Sequence, residues 1–142
     1  MIGDTMDSRE NMESEWMGGM GTKKRAVRLV RDILGCTCPE EVFNHYQVHY
    51  CTAGFGPFVQ MIMGDRLLVR LVDVSRLRSL EEEVSEMLSQ GLKEREKRGL
   101  HRFRLVLVGN PLPEMGRILM ELPEKLGPRV HLHMIAPESL GQ

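Results

Sequence analysis

All three cysteines fall within sixteen residues, as Cys36-Thr37-Cys38-Pro39 and then Cys51. The same stretch holds His45 and His49. Sulfur and imidazole ligands at this density suggest metal chemistry. Zinc in structural sites takes four ligands, drawn mostly from cysteine and histidine. Cys36, Cys38 and Cys51 supply three donors, and His49 or His45 supplies a fourth. His49 and Cys51 stand two apart on an expected strand, so they share a face. The cofactor implied is zinc or iron, although iron–sulfur clusters usually ask for four cysteines.

The same residues allow two other readings. Pro39 and Glu40 open an expected helix, and a helix N-terminus is partly positive. A thiol at Cys38 would lose its proton more easily there, with Cys36 as resolving thiol. Alternatively, all three cysteines simply pack, as small apolar side chains often do. The C-x-C spacing matches no standard zinc, cluster or redox signature.

A second group of residues points to charge recognition. Lys93, Arg95, Lys97, Arg98, His101, Arg102 and Arg104 form a basic stretch, diluted by Glu94 and Glu96. Lys97, Arg98, Arg102 and Arg104 are its candidate contacts for nucleic acid or a protein partner. His131 and His133 alternate on one strand face. No G-x-G-x-x-G or P-loop pattern follows any strand, so nucleotide binding lacks its usual hardware. No serine stands in a G-x-S-x-G setting.

Elements that must position these residues follow from periodicity and punctuation. Thr22 caps an expected helix over 23–34, with Ala26, Leu29, Val30, Ile33 and Leu34 on one stripe. Thr37 to Glu40 has capping-box spacing and starts a short helix over 39–45. Three strands follow, at 46–52, 58–63 and 66–74. Gly64-Asp65 is a hairpin turn between the second and third. The third is apolar at nearly every position, which places it centrally. Ser79 to Glu82 again has capping-box spacing, and a long helix runs over 79–98. Strands at 102–109 and 130–136 flank a helix at 113–122, which Pro123 disturbs. The fold class is therefore α/β. An antiparallel meander plus two helical crossovers gives one mixed sheet of about five strands, with helices on its faces.

The order helix, three strands, helix, strand resembles the core of the restriction endonuclease-like (PD-(D/E)XK) nucleases over roughly residues 24–109. The resemblance rests on element order and on the buried Leu67–Val74 strand followed by an acidic amphipathic helix. It implies two metal-binding acids, for which Asp65 and Asp73 stand, and a lysine two residues after the second. Ser75 occupies that lysine position, so the motif is incomplete. The resemblance then implies a non-catalytic module rather than an active nuclease.

Bulk composition sets the outer bounds. The chain has 142 residues, 42% hydrophobic and only 5% aromatic, so its core is aliphatic with methionine filler. A net charge of −1 names neither nucleic acid nor an acidic membrane as partner. Residues 1–21 carry five carboxylates against Arg9 alone and read as a disordered acidic tail before a single α/β domain over 22–142. No apolar run is long enough to span a bilayer, and no secretory pattern opens the chain. An odd cysteine count fits a reducing cytoplasm. A fifth strand at the sheet edge would allow a homodimer. Two function classes result: a thiol- or metal-binding protein built on the cysteine cluster, and a binding module using the basic surface.

Overall fold

The computed structural model describes residues 23–33, 45–54, 56–64, 66–109 and 113–139. The expected helix over 39–45, but for His45 at a bend, and the acidic tail lie outside the described residues. The chain opens with α1, Lys23–Arg28, which continues as a π-helical turn over Leu29–Ile33. Strands β1 (Tyr46–Ala53), β2 (Gly56–Met63) and β3 (Leu67–Asp73) form an antiparallel meander. Helix α2 (Leu80–Arg98) then crosses to β4 (Arg102–Val108), which runs parallel to β3. Helix α3 (Pro113–Glu121) passes into a 3-10 segment, Leu122–Leu126, and crosses to β5 (Val130–Ile135), parallel to β4. The sheet order is β1-β2-β3-β4-β5. β3 lies in the middle, as a strand apolar at all but Arg70 and its last residue suggests.

Alternation divides the core between the two faces of this sheet. Leu29 and Val30 of the α1 turn cover Val59, Met61, Met63, Leu67, Val69, Leu71, Val106 and Val108. On the other face, Val84, Met87 and Leu88 of α2 and Leu119 of α3 pack on Phe58, Leu68, Val72, Phe103, Leu105, Leu107, Val130 and Leu132. Each strand thus contributes to both cores, and β2 is buried along nearly its whole length.

One local expectation changes. Helix α2 has Ser79 as N-cap, but the Ser79 side chain makes no capping bond. Glu83 caps the helix instead. Its Oε2 accepts from the backbone N–H of Arg78 at 2.8 Å and of Ser79 at 3.2 Å. The acid one residue beyond the capping-box position reaches back because the chain before Ser79 bends toward it. At the other end Gly99 takes a left-handed φ of 68°, a conformation that favours glycine. Arg95 Nη1 donates to the Leu100 carbonyl at 2.8 Å and fastens that end.

Candidate functional site

Strand β1 places its residues by simple alternation. Tyr46 and Val48 pack toward the α1 side, whereas Cys51 and Ala53 pack toward the α2 side. His49 and Gln47 share the Cys51 face. His49 and Cys51 stand two positions apart, about 7 Å along the strand. His49 is exposed, and its Nε2 lies 3.2 Å from Gln47 Oε1. With the Gln47 amide oxygen facing it, Nε2 is the nitrogen that donates to Gln47. Metal-ligating histidines are commonly oriented in this way by a carbonyl on the far nitrogen.

Cys51 is a half-buried free thiol. Burial pushes its pKa up, Arg70 opposes that shift, and Glu94 adds to it. Cys51 is therefore a neutral thiol at neutral pH, a weak nucleophile unless a cation displaces its proton. Cys36 and Cys38 lie outside the described residues. Among the described residues, no three histidine, cysteine, aspartate or glutamate side chains gather as a metal site.

Beside Cys51 runs a polar strip that the sequence reading missed. Gln60 of β2 pairs with His49 on one side and with Arg70 of β3 on the other. Gln60 is only 6% exposed. Arg70 Nε donates to Gln60 Oε1 at 2.8 Å, and the guanidinium carbon lies 5.0 Å over the Phe58 ring centre. From α2, Glu94 forms an ion pair with Arg98, and Glu94 also acts on Arg70 through its field. A sequence signal existed. Gln60 and Arg70 each interrupt an apolar strand, and both lie at matching distances from the Gly64 turn, so they meet across the hairpin.

The basic stretch does not form one surface. Lys97 and Arg98 lie exposed near the end of α2. Arg102 is exposed at the start of β4. Arg104 is 7% exposed and its Nη1 bonds His133 Nε2 at 2.8 Å. Alternation puts Arg104 with Val106 and Val108 on the α1 face, opposite α2. His133 is held neutral, at about 4, first by burial and then by Arg104 and His131. Burial and Arg104 also lower His131, against a hydrogen bond to the Pro128 carbonyl that raises it.

Asp65 lies outside the described residues. Asp73 closes β3 and caps the turn that follows. Its Oδ1 accepts from Ser75 N at 2.9 Å and from Ser75 Oγ at 2.7 Å. An open groove of about 450 Å³ borders β5, lined by Met120, Pro123, Glu124, Pro128, His131 and His133 among others. Its two imidazoles are held toward neutrality, which leaves Glu124 as its charged wall. No family model and no curated protein matches the chain. Among the described residues, no helix is long and apolar enough to cross a membrane.

Proposed function

We propose that the protein is a small metal-binding protein whose site uses His49 and Cys51 of β1, with Cys36 and Cys38 completing the donor set. One observation carries this reading. His49 and Cys51 share a strand face, and the Gln47 amide lies against Nε2 of His49, on the far side of the ring from Nδ1. A metal at Cys51 would have to displace the thiol proton, which burial holds on more tightly than in a free cysteine. Two cysteines upstream bring the set to the four that zinc prefers. Iron is the other metal such a set accepts. A reducing, cytoplasmic setting keeps the thiols available.

The test is elemental analysis of the untagged protein purified with zinc or iron present. About one metal per chain is expected, lost in Cys51→Ser and weakened in His49→Ala. A metal-free wild type, or metal retained by Cys51→Ser, rejects the reading.

A second reading keeps the chain as a binding module on a restriction endonuclease-like core. The element order and the engagement of Asp73 with Ser75 support a version that binds without cutting. The edge of the sheet favours a protein partner or a second copy over nucleic acid. β1 is eight residues long, holds no charged residue and no proline, and exposes Tyr50 by 47%. Lys97 and Arg102 are exposed to a polyanion, and Arg98 would be shared with Glu94. Charge reversal at Arg98 and Arg102 would weaken salt-sensitive polyanion binding if that surface is used.

A further inference from the structure

We propose that Arg70 is the anchor of an oxyanion-binding site on the α2 face of the β1–β3 sheet, a role independent of metal binding at β1. The guanidinium is fixed on two sides. Nε is committed to Gln60 Oε1 at 2.8 Å, and the guanidinium carbon lies 5.0 Å from the Phe58 ring centre. Gln60 is itself buried, so the bond that fixes Nε is shielded from water. Both anchors lie on β2, hydrogen-bonded in register to β3.

The remaining edge of the fork is open. Among the described residues no acceptor is bonded to Nη1 or Nη2 of Arg70. Neither nitrogen is among the fully buried unpaired atoms, so each keeps some access to solvent. The nearest carboxylate, Glu94, is already paired with Arg98. Two cations and one anion therefore meet here, leaving positive charge beside the uncharged Cys51 and Gln60. A guanidinium with fixed orientation and two parallel free N–H vectors matches an anion that offers two oxygens side by side. Fixing Arg70 in advance removes the ordering cost that a surface arginine would meet on binding. The ligand chemistry is a carboxylate or a phosphate oxyanion held by a two-point contact.

The full chain is titrated with sodium phosphate and, separately, sodium acetate at constant ionic strength, following the Arg70 side-chain N–H resonances. Saturable shifts with either anion support the site, and the tighter anion identifies the oxyanion class. Arg70→Lys keeps the charge but loses the fork, so binding falls about ten-fold. Glu94→Gln removes the competing charge without touching the fork, so binding tightens. Cys51→Ser leaves it unchanged, which separates this site from the proposed metal site. The proposal is overturned if neither anion shifts the wild-type resonances. It is also overturned if a folded Arg70→Lys binds as well as wild type, or if a folded Glu94→Gln binds no tighter.

Discussion

Arg104 Nη1 donates to His133 Nε2 at 2.8 Å and ties β4 to β5 on the α1 face of the sheet. The bond needs a neutral imidazole, because an arginine can only donate. Protonating His133 would destroy the acceptor and set an imidazolium against a guanidinium in a half-buried place. Burial is the largest reason that its pKa falls to about 4, with Arg104 and His131 next.

This arrangement has a pH consequence. Unfolded His133 would titrate near 6.5, whereas the folded form titrates near 4. Between these values the unfolded chain binds more protons, so stability rises with pH. The contribution is complete above about pH 6.5 and is lost as pH falls toward about 4. His131 is lowered for similar reasons and acts in the same direction. Urea midpoints at pH 7 and pH 5 should show a larger drop for wild type than for His133→Gln. Equal drops would remove His133 as the cause.

Gly91 lies buried in α2 against the Phe103 ring of β4. A methyl on Gly91 would overlap that ring. Helix propensity alone favours alanine over glycine by about 1 kcal/mol. Overpacking a well-filled core costs roughly 1–3 kcal/mol and should win here. Gly91→Ala is therefore expected to be destabilising in urea unfolding. Adding Phe103→Leu should recover part of the loss, giving non-additive energies. An alanine that stabilises would mean that the helix can move off the strand freely.

Several parts of this fold are readable from residues alone. The Gly64 turn and the Leu67–Val72 run specify a hairpin and its buried strand. Gly99 and Gly109 mark the ends of α2 and β4 because both carry positive φ. Periodicity distinguishes helices from strands, but it does not say which polar residues a core will enclose. Arg104 reads as a surface cation because its neighbours in sequence are cations. Its burial depends on β5 and the α1 side, which are remote in sequence. Gln60 and Arg70 were legible only as a cross-strand pair, since neither carries a motif by itself. The Cys36, Cys38 and Cys51 grouping is a spacing signal, and spacing alone does not orient a donor. The structure adds only that His49 and Cys51 share one face of β1.

The cap of α2 offers a sharper comparison. Ser79 and Glu82 have the capping-box spacing, yet Glu83 accepts the two backbone N–H bonds before the helix. A carboxylate there also faces the positive end of the helix. Glu83→Ala should lower stability by about 0.5–2 kcal/mol, the range for loss of a helix cap. Glu82→Ala, with no such bonds described, should cost much less. Thermal unfolding of the two variants decides it, and the reverse ranking would restore the capping box.

β1 makes the last prediction. Edge strands usually carry lysine, proline or a bulge that prevents pairing with another chain. β1 has none of these. Its register with β2 runs unbroken from Tyr46–Met63 to Ala53–Gly56. Because the strand holds no lysine, arginine, aspartate or glutamate, two copies can approach antiparallel without repulsion between such charges. Tyr50, 47% exposed, would lie near the centre of such a pair. Sedimentation should show association that grows with concentration. Tyr50→Lys should suppress it while shifting stability by no more than about 0.5 kcal/mol, as exposed substitutions do. A wild type that stays monomeric at high concentration would show that this edge does not pair with its own copy.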